Sequence, residues 1–501
     1  MRVVIGIDIG TTNTKAVCFS ENGAVLASAG ASYPVYTDAD GRHELDPDHL
    51  LEAVVATLKE VVAKMVAAGL AGRGVKGQGL AGIGFSCAMH SLIAVDDDGH
   101  PLTRAMTWAD LRSESYARAL KGSETGSRIY AVTGTPIHAM SPLCKLLWMR
   151  EEQPALFKRA ARFISIKEYI WRRLFGKYRV DHSLASATGL FDIRRKIWNP
   201  ESLELVGIDA GRLSEPVPCT YWEAGLLPGW ASLGLPVDLP FVIGSSDGCL
   251  ANLGTGAIGR GDTALTIGTS GAIRMTTTAP ETDAKERIFS YVLADGYYVC
   301  GGATNNGGNV LQWYANQVLG RKGADADELE RLVAEADQVA PGSEGLVFLP
   351  YLLGERAPVW DARAKGVFFG VRSIHEQRHF LRAVLEGVSL SLRQIGASLE
   401  ETIGPIERIH ASGGFIHSPA WLQLIADIFQ KKVLVTGSAD ASAIGAAQLG
   451  LYALGIVPAL DVAASLVKPE AVYEPDAARA AVYQKNFKIF TELYQRLRDL
   501  M

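Results

Sequence analysis

Short runs of apolar residues, each closed by glycine and hydroxyl residues, punctuate the start of the chain. Val3-Val4-Ile5-Gly6-Ile7-Asp8-Ile9 reads as a buried strand that stops at Gly10-Thr11-Thr12, which is turn chemistry. Residues 14–19 form a second strand at hairpin distance. Asn22-Gly23 then marks another tight hairpin into residues 24–28. The chain is expected to open with three antiparallel strands. The period then changes, and apolar residues recur at helical spacing over 50–68. Asp46-Pro47-Asp48 precedes them as a helix start, with proline just inside the cap. Residues 81–86 return to strand. The order βββαβα predicts a mixed sheet covered by helices, an α/β design.

The opening pattern returns in the second half. Residues 263–267 read as a strand, Gly268-Thr269-Ser270-Gly271 as its turn, and residues 272–275 as the returning strand. This implies an internal duplication, two α/β domains that each present a glycine-hydroxyl hairpin. No proline-rich, serine-rich or single-charge tract marks a linker, so the motifs place the boundary: one domain over 1–245 and a second over 246–501. Residues 476–501, behind Pro475, read as one terminal helix.

Composition narrows the function classes. The 501 residues are 48% hydrophobic and 21% charged, as in ordinary globular proteins, which excludes wholesale disorder. A net charge of −5 with no basic run argues against nucleic acid as a partner. No stretch approaches ~20 uncharged apolar residues, so no membrane partner is expected. The six cysteines are scattered without a C-x-x-C pair and read as buried reduced thiols. With no leader pattern at the N-terminus, they make a cytoplasmic location the expectation.

Chemistry gathers at the turns. In the first, Gly10 lets the backbone approach a ligand, and Thr11, Thr12 and Asn13 offer hydroxyls, an amide and backbone N–H groups. Lys15 adds positive charge at the edge, so the turn suits phosphate oxygens. Asp8 sits just before it. A carboxylate there makes sense if a magnesium ion lies between it and the phosphate, held through water. The second turn repeats the chemistry at Thr269, and two such turns suggest a nucleoside triphosphate clamped from both sides. There is no Walker A sequence. Asp247 ends the strand-like run 241–246. Ligands of α/β sheets collect at such strand ends, where a carboxylate can take a proton from a substrate hydroxyl.

Taken together, these features resemble the FGGY carbohydrate kinases, which have the actin-like ATPase (ribonuclease H-like) fold. One family signature is matched by Met140-Ser141-Pro142-Leu143-Cys144-Lys145-Leu146-Leu147-Trp148. The other is matched by Gly366-Val367-Phe368-Phe369-Gly370-Val371 with His379-Phe380-Leu381-Arg382-Ala383-Val384-Leu385-Glu386. The resemblance implies mixed sheets flanked by helices, with the active site in a cleft between two domains. The first domain would bind sugar and carry the first phosphate loop, and the second would bind the nucleotide. ATP and magnesium are the implied cofactors. Position by position, it implies that Asp8 lies near the metal and that Thr11, Thr12, Asn13 and Lys15 form the first phosphate loop. Thr269, Gly308, Gln312, Gly414 and Ser418 would contact nucleotide, with Asp247 as general base. Lys145 and Glu386 lie inside the signatures and read as ion-pairing and helix-packing residues.

Substrate choice is expected from three segments: Ser86-Cys87-Ala88-Met89-His90-Ser91, Thr107-Trp108-Ala109-Asp110-Leu111-Arg112, and Thr133-Gly134-Thr135-Pro136-Ile137-His138. They resemble the members of the family that phosphorylate gluconate, as does Gly354-Glu355-Arg356-Ala357-Pro358. A desolvated carboxylate needs a cation or several N–H donors, which His90, Arg112 and His138 can supply. Trp108 offers a flat wall, Asp110 accepts hydroxyl hydrogens, and Met89 completes the segment. The expected reaction is ATP-dependent conversion of D-gluconate to 6-phosphogluconate, with a homodimer as the common family assembly. Xylulose or another sugar or polyol as acceptor remains the alternative, and an actin- or Hsp70-like ATPase without a sugar is the distant one.

Overall fold

The structure, a computed structural model, describes residues 1–69, 79–437 and 440–501. They divide into two compact units, each discontinuous in sequence. The first comprises Met1–Gly256, Thr277–Val299 and Asp440–Val467. The second comprises Ala257–Thr276, Cys300–Ala439 and Lys468–Met501. The chain thus passes between units several times, where the sequence suggested a single boundary after residue 245.

The first unit is built on six strands: β1 (Arg2–Ile9), β2 (Asn13–Ser20), β3 (Val25–Ser32), β4 (Gly79–Cys87), β5 (Trp222–Glu223) and β6 (Phe241–Ser246). Their order in the sheet is β5-β6-β4-β1-β2-β3. The three opening strands pair antiparallel as the turn signals require. β4 then joins the other side of β1 in parallel, and β6 joins β4 in parallel. Side chains alternate across a strand, so β1 serves two layers. Ile5, Ile7 and Ile9 pack into one core with Leu50, Leu51, Val54, Leu58 and Val61 of α1 (Pro47–Ala67). Asp46 caps α1, accepting from Asp48 N at 3.0 Å.

The other face of β1 carries Val4 and Gly6. Val4, with Val17 and Phe19, meets Ile444, Ala447 and Leu451 of a late helix, Ala441–Ala453. Gly6 and Gly84 let that helix lie against the sheet. A Cβ on Gly6 would stand 1.9 Å from Ala443 O, and one on Gly84 2.3 Å from Ala446 O. Only a missing side chain permits this backbone approach.

The second unit repeats the plan with β7 (Asp262–Ile267), β8 (Gly271–Thr277), β9 (Tyr297–Thr304), β10 (Arg408–Ser412), β11 (Lys432–Val435) and β12 (Ala471–Tyr473). These six of the sheet's seven strands run in the order β9-β8-β7-β10-β11-β12. Again a hairpin is followed by two parallel neighbours and an antiparallel edge strand. The inferred duplication is therefore present in the topology. The terminal segment is a 3-10 turn, a helix over Ala480–Leu497 and a second 3-10 turn, rather than one continuous helix. Tyr483, Phe490, Leu493 and Tyr494 bury its inner face. All six cysteines are buried and none is in a disulfide, as expected. Among the described residues, no helix is long and apolar enough to cross a membrane.

Candidate functional site

The first turn closes through Gly10 N donating to Asn13 O at 3.0 Å, which leaves Thr12 at an exposed tip. Thr11 Oγ1 accepts from Trp108 Nε1 at 3.0 Å, so the turn is tied to the second proposed substrate segment. Asp8, at the end of β1, accepts from Ser86 Oγ of β4 at 2.6 Å. Its carboxyl is raised from the ordinary 3.8 to about 7, first by desolvation and then by the charge of Asp247. Ser86 and Lys15 oppose that shift, and Asp440 adds to it.

Asp247 opens the short helix α2 (Asp247–Gly254) directly after β6. Its Oδ1 accepts from Gly248 N at 2.7 Å. The end of β6 is irregular: its register with β4 shifts between Val242 and Ser245, and Gly244 has φ +75°, with Phe85 O where a Cβ would be. Buried carbonyls freed by such a break need other donors. Lys167 supplies them, bonding Ile243 O at 3.1 Å and Ser245 O at 2.9 Å while ion-paired to buried Asp181 at 2.7 Å. Ser183 Oγ bonds both the amide and the hydroxyl of Ser246. The peptide entering Asp247 is thus fastened on several sides.

Sequence reasoning missed Asp440. It precedes the helix Ala441–Ala453 and makes no capping bond. Instead its Oδ1 pairs with Lys15 Nζ at 2.6 Å. The only local signal was that of a helix N-cap. What brings it to Lys15 is the glycine-lined seat of its helix, a contact across more than four hundred residues.

Of the proposed substrate residues, His90 has φ +67°, and its Nδ1 lies 2.7 Å from Ala187 O. Its ring meets Tyr291 edge-on at 5.8 Å. His138 Nδ1 accepts from Met140 N at 3.1 Å. Met89 is half-buried against the first unit's core. Asp110 is fully buried with both oxygens engaged, by Arg112 and by His43 N. Arg112 also reaches Glu44 at 2.6 Å and lies over the Trp148 ring. These two residues hold the Trp108 turn in place. His90, Trp108 and His138 are each half-buried.

In the second unit, the tip at Gly268 and Thr269 is exposed. Gly268 O accepts from Gly308 N at 2.8 Å and Thr269 O from Asn309 N at 3.2 Å, joining that turn to the helix Gly308–Trp313. Gln312 Nε2 donates to Asn316 and to Ala324 O. Gly414 is exposed, and Ser418 Oγ donates to Glu330 at 3.2 Å. Glu355 had been given no role. Buried, it accepts from Thr304 Oγ1 at 2.6 Å, Asn305 N at 3.1 Å and Asn306 Nδ2 at 3.2 Å, shaping the loop that leads to Gly308. Glu386 is ion-paired to Arg382 at 2.9 Å, as its signature position suggested. Lys145 differs from that expectation, because its ammonium meets two carbonyl oxygens rather than a carboxylate.

Residues 3–254 match the N-terminal domain and 263–454 the C-terminal domain of the FGGY family of carbohydrate kinases. The gluconokinase of Bacillus subtilis is 41% identical over 99% of this chain and 96% of its own. Gluconate kinase from Lactobacillus acidophilus superimposes with a TM-score of 0.91 at 35% identity, covering 99% of this chain and 98% of that one. A ligand-bound xylulose kinase from the same organism also gives 0.91, at 34% identity and 99% coverage of both chains.

Proposed function

Because the chain belongs to the FGGY family of carbohydrate kinases, we propose that it transfers the γ-phosphoryl group of ATP to the 6-hydroxyl of D-gluconate. The observation that carries the acceptor is the 41% identity to a gluconokinase across 99% of the chain.

Asp247 is the general base. It accepts the hydroxyl proton as the hydroxyl oxygen bonds to the γ-phosphorus and the bond to the β-γ bridging oxygen breaks. The strand end leading into it is pinned by Lys167 at Ser245 O and by Ser183 at Ser246 N, so the carboxylate need not be ordered anew in each turnover. Thr11, Thr12, Asn13 and Lys15 take the phosphoryl oxygens. Thr269, Gly308, Gln312, Gly414 and Ser418 hold the nucleotide. His90 and His138 meet the substrate carboxylate, with Trp108 along the carbon chain.

The donor set fits magnesium. Asp8, Asp247 and Asp440 interact electrostatically, and Lys15 opposes them as a cation acting on Asp8. Such an excess of hard oxygen charge suits a divalent ion held through water at Asp8. The ion would neutralise charge on the transferred group. The protein acts in the cytoplasm, as a homodimer.

The test is ADP release with ATP and magnesium over D-gluconate, xylulose, ribulose, glycerol and no acceptor. Turnover strongest with gluconate is expected. A ketose preference would keep Asp247 and both turns but replace the acceptor. That second reading has in its support a structural match to the xylulose kinase equal to that for the gluconate kinase.

A further inference from the structure

The helix Pro142–Glu152 carries a lysine, Lys145, that the phosphoryl-transfer scheme does not use. Its side chain is completely buried. Nζ donates to His90 O at 2.6 Å and to Thr107 O at 2.6 Å. These carbonyls belong to the two segments assigned to the acceptor, one bearing His90 and the other leading into Trp108. One amine therefore ties together two loops that are distant in sequence.

Both loops need a tie. His90 has φ +67°, a left-handed backbone conformation that is uncommon for residues with a Cβ. The bond from Lys145 to the His90 carbonyl, and that between the His90 ring and Ala187 O, both hold it there. Thr107 is held on its other side by His43, through Thr107 Oγ1 at 2.6 Å from His43 Nδ1 and Thr107 N donating to His43 O. Beyond it, Trp108 donates to Thr11 of the first turn. Displacing Thr107 would move both the indole wall and the hydroxyl it steadies.

We propose that Lys145 is a positioning residue for the acceptor, its amine acting as a two-pronged clamp on the His90 and Thr107 carbonyls. Burial supports this reading, lowering the Lys145 ammonium from 10.5 to about 7. Two carbonyls are in reach of its N–H groups, so the clamp works without a directly hydrogen-bonded carboxylate. The proposal rests on the reading of His90 and Trp108 as acceptor contacts.

Steady-state kinetics with D-gluconate and ATP test it. Lys145→Met keeps the apolar stem and removes both donors. Its KM for gluconate is expected to rise tenfold or more, with KM for ATP within about twofold of the parent. Lys145→Gln restores two amide N–H donors on a shorter stem, and is expected to recover part of the gluconate KM. An unchanged gluconate KM in Lys145→Met, equal loss toward both substrates, or a glutamine variant no better than methionine each overturns the clamp. Should the methionine variant not fold, the glutamine variant decides by the same split between the two KM values. Trp108→Phe and His90→Asn run beside them. If these raise the gluconate KM while the Lys145 variants do not, the clamp alone fails. If none of the four raises it, the acceptor assignment fails and takes the clamp with it.

Discussion

The charge of Asp247 raises the affinity of Asp8 for protons, and variants at the two positions have distinct signatures. Asp247→Ala is expected to lower turnover by roughly 10²–10⁴-fold with ATP binding retained, checked by single-turnover phosphorylation and by nucleotide titration. Near-parental turnover would remove Asp247 from the base role. Asp8→Asn is predicted to act on stability. The Asp8 carboxyl sits at about 7 in the folded protein against an ordinary 3.8. Folding therefore takes up a proton between these values, and the ionised group opposes folding fully only above about pH 7. Without metal, Asp8→Asn should melt above the parent at pH 8, with the gap closing as pH falls towards 4. A gap that widens on acidification would contradict the shift. Asp8 and Asp247 stood out in the sequence because both lie at the ends of strand-like apolar runs. Asp440 and the positive φ of His90 were not, since each is set by contacts from distant parts of the chain. Asp110 and Arg112 looked available for a ligand because sequence shows charge but not that it is already paired.

Hairpins were legible at the level of elements because their signals are local: Gly10-Thr11-Thr12, Asn22-Gly23 and Gly268-Thr269-Ser270-Gly271 each fix a reversal within a few residues. The helix Ala441–Ala453 is apolar almost all round, so the sequence marks it as buried without naming its neighbour. Its seat against Gly6 and Gly84 joins residues with no sequence signal in common. Gly84→Ala puts a methyl where Ala446 O lies, and such overpacking costs about 1–3 kcal/mol. It should lower the urea midpoint and also weaken phosphoryl transfer, because shifting the helix pulls Asp440 from Lys15. Measured together, a loss of stability with unaltered turnover would show that the seat and the Lys15–Asp440 pair are independent. The C-terminal helix was legible in extent, but not the 3-10 turns at its ends, which reflect how it docks.

At the scale of the molecule, duplication could be sensed from two similar turns, but the way the chain divides could not. Composition carries no trace of residues 277–299 and 440–467 returning to the first unit. A chain ending at residue 439 should retain the second unit's hairpin yet leave Val4, Val17 and Phe19 without Ile444, Ala447 and Leu451. The expected outcome is an aggregating product, scored by the soluble fraction on expression. The same discontinuity sets a timetable for synthesis. Strands made first wait, with one apolar face open, until a helix encoded more than four hundred codons later has left the ribosome. For most of translation the nascent chain therefore exposes the surface that one of its late helices is built to cover.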